Sequence, residues 1–179
     1  MRTFIALELP NKFLEETAQL ASQVSRCVKG RFLPKSTYHL TLAFLGETEE
    51  VSVAKVISAL DRISREYTAP LLHPNGLGKF GKPTDATLFL ELQAIESLTR
   101  LTSGVRNELN KPNISFDTKK FRPHITLARR ASIPKDRFSD LYFPSPEIAT
   151  EVTFFKSILK PEGAEYKTLY SVVLNQPKN

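Results

Sequence analysis

One short pattern occurs twice in this chain, and it constrains the fold more than any other feature. Residues 39–43 read His-Leu-Thr-Leu-Ala and residues 124–128 read His-Ile-Thr-Leu-Ala, 85 positions apart, and together they hold two of the three histidines. In a β-strand the side chains at i and i+2 share a face. Each copy therefore turns a His and a Thr to one side and two aliphatics, Leu40 and Leu42 or Ile125 and Leu127, to the other. Two such strands facing one cleft would supply two imidazoles and two hydroxyls. Acid–base chemistry on a phosphate ester needs such a set.

The rest of the chain is read as supports for those strands. Thr3–Leu9 is a β-branched and apolar run that predicts a first strand, broken by Pro10-Asn11. Phe13–Val28 predicts a helix with Leu14, Ala18, Leu20, Ala21, Val24 and Val28 on its apolar side and Gly30 as its stop. The first repeat strand spans Tyr38–Leu45, and a second helix opens at Thr48–Val51 and runs through Arg65. Leu71–Phe80 contains Pro74, Gly76 and Gly78, which predicts an irregular or bulged strand. Thr87–Leu92 is a strand and Ile95–Leu109 a third helix, closed by Lys111-Pro112-Asn113. The second repeat strand is Pro123–Ala128. Ser132–Pro146 is proline-rich loop with one short helical turn, and Ile148–Leu159 and Thr168–Leu174 close the chain as strands.

Strands without strict βαβ alternation indicate an α+β fold with antiparallel sheets. The repeat suggests two similar lobes, each giving one His strand to a shared cleft and each carrying the long helix nearest to that strand in sequence. The 179 residues fit one domain, 1–179, long enough to bury a real core.

Composition narrows the partners. The 25 basic and 19 acidic residues leave a net charge of +6, which favours an anionic partner without identifying it. Cys27 is the only cysteine, so no intrachain disulfide can form, and a small buried core residue is expected there. Glu8 and Pro10 interrupt the N-terminal apolar run too early for a secretory signal. No apolar run approaches the roughly 18 residues of a membrane span. A cytoplasmic monomer with no membrane association is the expectation.

The pair of motifs suits the opening of a cyclic phosphate. One neutral imidazole can deprotonate water while one imidazolium protonates the departing sugar oxygen, and an unperturbed pKa of about 6.5 lets both forms coexist near neutrality. Thr41 and Thr126 can donate to the non-bridging oxygens. A zinc site is the rival for paired histidines, but Thr, a poor zinc ligand, holds the second position both times, and no His-Glu-x-x-His or Cys pair lies nearby. His73 lacks the pattern and is read as loop surface.

Further candidates flank the motifs. If the second strand stays regular, Arg130 shares the face of His124 and Thr126; a bulge would put Arg129 there instead. Arg122 and Lys119-Lys120 could track a nucleic-acid backbone. Phe44 and Phe80 could stack a base, although among twelve Phe core packing is the expected role.

His39-Leu40-Thr41-Leu42 and His124-Ile125-Thr126-Leu127 resemble the paired His-x-Thr-x motifs of the 2H phosphoesterase superfamily. With Phe4-Ile5-Ala6-Leu7-Glu8-Leu9-Pro10, His39–Gly46 and Arg122–Arg129, most of the chain is similar to the RNA 2′,3′-cyclic phosphodiesterase family, also called bacterial and archaeal 2′-5′ RNA ligase. The resemblance implies a bilobal fold: two antiparallel sheets with outer helices, related by a pseudo-two-fold, around a central active-site cleft. It implies hydrolysis of 2′,3′-cyclic phosphodiester RNA ends, or of small cyclic nucleotides, to 2′-phosphomonoesters, with no cofactor and no metal. It assigns His39 as proton donor to the leaving 3′ oxygen and His124 as proton acceptor from water, a distinction that the near-symmetry of the motifs leaves open. It also implies reversible 2′-5′ RNA ligation. Two alternatives remain at this level: a 2′-5′ oligonucleotide phosphodiesterase, and a non-catalytic RNA-end binding module.

Overall fold

The structure is a computed structural model and describes residues 1–135 and 138–178. In chain order the elements are β1 (Arg2–Leu7), α1 (Asn11–Ser25), β2 (Lys29–Phe32), β3 (Leu40–Glu47), α2 (Glu50–Glu66), β4 (Leu71–Leu72), β5 (Pro74–Lys82), β6 (Asp85–Leu92), α3 (Glu96–Asn110), β7 (His124–Ser132), β8 (Glu147–Ile148), β9 (Glu151–Lys160) and β10 (Gly163–Val173).

Two four-stranded sheets, ordered β10-β9-β1-β3 and β2-β7-β6-β5, form the body, and β4 and β8 make a small third pair. All their strand pairs are antiparallel. The α+β reading and the two-sheet architecture therefore hold. The repeat strands sit where the sheets meet, with β3 beside β7. The aliphatics behind the motifs are fully buried: Leu40 is 1% exposed and Leu42, Ile125 and Leu127 are 0%. They join one continuous core with Phe13 and Leu20 of α1, Leu60 and Ile63 of α2, and Leu101 and Val105 of α3. Burying that apolar set on one side of each strand fixes which side faces the cleft, because a one-residue slip would expose it.

Several boundaries differ from the sequence expectation. The first helix ends at Ser25, and its buried stripe is Phe13, Thr17, Leu20, Ala21 and Val24. Gly30 is not its stop; it lies in β2, where a Cβ would come within 2.8 Å of the Ala131 backbone. The strand around it escapes the sequence reading because Lys29-Gly30-Arg31 has no apolar alternation. Leu71–Phe80 does contain a bulged strand, with a register shift between Pro74 and Leu77. Within Ser132–Pro146 no helical turn occurs among the described residues; positions 136 and 137 of that stretch lie outside them. Cys27 is exposed rather than buried.

The helices are not shared out as sequence proximity suggests. α3 precedes β7 in the chain but packs on α2 and β3, in the other half of the molecule, while α1 lies against β2. An ion-pair cluster fastens α2 to the end of α3: the Arg62 Nε–H donates to Glu108 at 2.6 Å, and Lys111 bonds the same carboxylate. These partners pull the buried Glu108 carboxyl below its usual value.

Candidate active site

A cavity of about 200 Å³ lies between the sheets, lined by His39 and Thr41 from one side and His124 and Thr126 from the other. It suits a phosphate and part of a sugar, not an oligonucleotide. The four motif residues are brought together as their alternation predicts.

Both imidazoles are oriented by the same local device. The Nδ1–H of His39 donates to the Thr37 carbonyl at 2.8 Å, and that of His124 donates to the Arg122 carbonyl at 2.7 Å. In each case the acceptor is two residues upstream. This fixes the tautomer and leaves Nε2 as the reactive nitrogen. The surroundings of Nε2 then differ. The Thr41 hydroxyl lies 3.1 Å from His39 Nε2 and donates to it while the ring is neutral. Among the described residues His124 Nε2 has no such partner.

Aromatic rings wall in both histidines. His39 lies 4.8 Å from the Phe4 ring and meets the edge of Tyr166 at 5.2 Å. His124 lies 5.0 Å from Phe89 and meets the edge of Phe80 at 5.0 Å. Desolvation in these surroundings lowers both imidazole pKa values, that of His39 to about 4. The bonds to the Thr37 and Arg122 carbonyls oppose the shift, and the charge of Arg129 adds to it at both rings. Neither ring is sealed off, since both line the cavity.

Arg129, not Arg130, enters the cavity. β7 is bulged there: the register against β6 shifts between Ala86 and Leu88, the register against β2 shifts between Lys29 and Arg31, and Arg130 takes a φ of 51°. The left-handed residue redirects the strand so that Arg129 replaces Arg130 on the cleft side. Arg122 is turned elsewhere. Its Nε–H donates to Glu91 at 3.0 Å, its guanidinium lies over Phe80 and Phe89, and it lines a neighbouring groove with Lys119 and Lys120.

Phe44 and Phe80 correct the expectation of core packing. Phe44 lines the cavity beneath the Arg2 guanidinium, and Phe80 is 39% exposed at the groove beside His124. Six cavity residues lie outside the candidates that the sequence singles out: Arg2, Phe4, Leu33, Thr37, Ser157 and Tyr166. A signal for Arg2 is present, since it shares the β1 face of Phe4 by alternation. Tyr166 lies between the two closing strands as the sequence delimits them, and the pairing of β10 with β9 brings it to the cleft.

Among the described residues no three His, Cys, Asp or Glu side chains gather closely enough to hold a metal ion. Nor is any helix among them long and apolar enough to cross a membrane.

Comparison with known proteins places this geometry. Residues 11–153 match the family model of the 2′-5′ RNA ligase superfamily. An RNA 2′,3′-cyclic phosphodiesterase of Thermotoga maritima is 30% identical over 176 residues, covering 95% of this chain and 94% of that protein. A protein of the same name from Thermus thermophilus is 27% identical over 94% of this chain and 88% of its own. Among solved structures, TT0787 of Thermus thermophilus superimposes with a TM-score of 0.84 at 28% identity, covering 99% of this chain and 100% of that one. Escherichia coli LigT without ligand gives 0.73 at 25% identity, with 98% of each chain covered.

Proposed function

This chain belongs to the 2′-5′ RNA ligase superfamily, and from that membership and the cleft geometry we propose that it hydrolyses 2′,3′-cyclic phosphodiester ends of RNA to 2′-phosphomonoesters. The observation that carries the reading is the matched pair of imidazoles. Each is anchored through Nδ1 to a backbone carbonyl, and both border one small cavity that Thr41 and Thr126 also line.

In this reading His124 Nε2 takes a proton from water as the water oxygen bonds to phosphorus. The P–O3′ bond breaks on the far side, and His39 Nε2 gives its proton to the departing O3′. The O2′–P bond remains, so the product is the 2′-phosphate. Solvent then returns a proton to His39 and removes one from His124. The hydroxyls of Thr41 and Thr126 and the Arg129 guanidinium face the non-bridging oxygens, where charge builds in the transition state. His39 is hard to protonate in the empty cleft. The substrate's own negative charge supplies the compensation, raising the imidazole pKa as it enters. With a ribose hydroxyl in place of water, the same steps form a 2′-5′ linkage. The exposed, unpaired Cys27 suits the reducing cytoplasm in which we place this activity.

The deciding experiment is incubation with a 2′,3′-cyclic nucleotide and identification of the product. The 2′-phosphate is expected. A 3′-phosphate would reverse the leaving oxygen, turnover only of linear 2′-5′ oligonucleotides would favour that narrower phosphodiesterase, and binding without turnover would leave an RNA-end binding module.

A further inference from the structure

Two grooves open from the catalytic cavity, and they differ in how far their arginines are already engaged. The one beside His124, of about 590 Å³, is lined by the rings of Phe44, Phe80 and Phe121 and by four cationic side chains. Three of those cations are already engaged. Arg106 donates to the carbonyls of Leu42 and Lys119 at 3.3 and 3.0 Å. Arg122 is paired with Glu91 at 3.0 Å and Lys119 with Asp117 at 3.5 Å. Carboxylates thus offset two of the four cations and carbonyls hold Arg106 in place, so this groove presents mainly rings and Lys120 to a ligand.

The groove on the other side, of about 580 Å³, holds Arg2, Arg31 and Arg129. None of the three has a carboxylate partner among the described residues. Arg31 and Arg129 are directly opposed across β2 and β7, so their side chains leave the same face of the sheet. Like charges opposite each other are unfavourable unless an anion lies between them. Acidic residues appear only at the hairpin end, where Glu165 pairs with Lys160 and Glu162 completes the rim. Arg2 and Arg129 also line the catalytic cavity, whereas Arg31 lines only the outer groove. The positive charge therefore runs outward from the reacting phosphate for one further step.

We propose that Arg31 binds the phosphodiester preceding the cyclic phosphate, so that the preferred substrate is an oligonucleotide end rather than a free cyclic mononucleotide. This rests on the cyclic phosphodiesterase reading above and adds a phosphate subsite to it. A single strand entering this way meets unpaired guanidinium groups, while the aromatic groove beside His124 stays on the side from which water or a second hydroxyl approaches.

The test compares kcat/KM for a 2′,3′-cyclic mononucleotide and for a trinucleotide ending in a 2′,3′-cyclic phosphate, in wild type, Arg31→Gln and Arg31→Lys. Wild type should prefer the trinucleotide by about tenfold or more, as one charge-assisted phosphate contact provides. Arg31→Gln should lose most of that ratio through KM, and Arg31→Lys should keep part of it. The slope of log kcat/KM against log salt for the trinucleotide should fall by about 0.7 in Arg31→Gln. A ratio near one in wild type, a ratio that survives Arg31→Gln, or equal losses on both substrates would overturn the subsite. If wild type turns over neither substrate, the phosphodiesterase reading is what fails. Binding of a 2′-phosphorylated trinucleotide against a 2′-phosphorylated mononucleotide then still judges the groove, and equal affinities would reject it.

Discussion

The backbone of Arg122 holds the His124 imidazole, while the Arg122 side chain is turned away to Glu91. The 2.7 Å bond from His124 Nδ1 ends on the Arg122 carbonyl, and the guanidinium lies across Phe80 and Phe89 with its Nε–H on the carboxylate. Thr37 and His39 repeat the backbone part of this arrangement. Ring orientation thus depends on the strand entry and not on a side chain that substitution would remove. Arg122→Ala should accordingly change kcat on a 2′,3′-cyclic nucleotide by less than about tenfold, whereas His39→Ala and His124→Ala should each lower it by on the order of 10²–10⁴. A histidine variant with near-wild-type turnover would take that residue out of the mechanism.

The threonines carry a separate expectation. Thr41 and Thr126 line the cavity together with both histidines, and a lost donor to a developing anion costs about 10²–10³ in kcat. Thr126→Val, nearly isosteric, should lower kcat within that range and change KM much less. Thr41→Val should do the same and also free His39 Nε2 from its 3.1 Å partner. If both valine variants raise KM at constant kcat, the hydroxyls bind the ground state and do not follow charge into the transition state.

Burial of the histidines sets the pH behaviour. Desolvation lowers both pKa values in the free protein, that of His39 to about 4. An anion between the rings favours imidazolium and must raise them. NMR titration should find the His39 midpoint near pH 4 in the free protein and at higher pH with a 2′-phosphorylated nucleotide bound. The kcat bell should be centred at higher pH than the kcat/KM bell, since the first reads the complex and the second the free protein. A titration that the nucleotide leaves unmoved would mean that no anion sits between the imidazoles.

The same shift couples His39 to stability. Its folded pKa of about 4 lies below the unfolded value of 6.5, so the fold favours the neutral ring. The contribution is full above about pH 6.5 and is lost as pH falls from there toward about 4. It is on the order of 2 kcal/mol, given a ring partly open to the cleft. Wild type should therefore lose more stability than His39→Gln over that window, read from urea midpoints. Parallel curves would show that the ring carries no such penalty.

The site is legible in the sequence wherever it depends on strand alternation. His, Thr and the aliphatics behind them sort to opposite faces because period two is local. Arg129 against Arg130 turns on a bulge, which depends on the partner strands and is visible only in the register of β2 and β6 against β7. Ser157 lies on a strand that the sequence does show, but Tyr166 lies in the part of the outer arm before Thr168 that the sequence does not, and only the pairing of the hairpin brings both to the cleft. The placement of α3 on β3 is likewise beyond the sequence, since an amphipathic helix records that it packs but not against what.

Gly78 ties the fold to His124 by space alone. In the sequence it reads as a strand irregularity, yet it lies directly opposite Phe89 in the β5–β6 ladder. A Cβ there would come within 2.3 Å of Cε2 and 2.6 Å of Cζ of the Phe89 ring. That ring is 0% exposed and is hemmed in by Phe80 at 4.5 Å and His124 at 5.0 Å. A methyl at position 78 must therefore push the ring against the groups that support the imidazole. Gly78→Ala should cost about 1–3 kcal/mol by overpacking and lower kcat about tenfold through a displaced His124, a loss equal to roughly 1.4 kcal/mol in the barrier. Adding Phe89→Leu should recover stability by vacating the ring's volume, but it should not restore kcat, because the wall beside His124 is gone. Urea midpoints and kcat on the same three proteins decide it, and a Gly78→Ala variant as stable and as active as wild type would show that the ring has room to move.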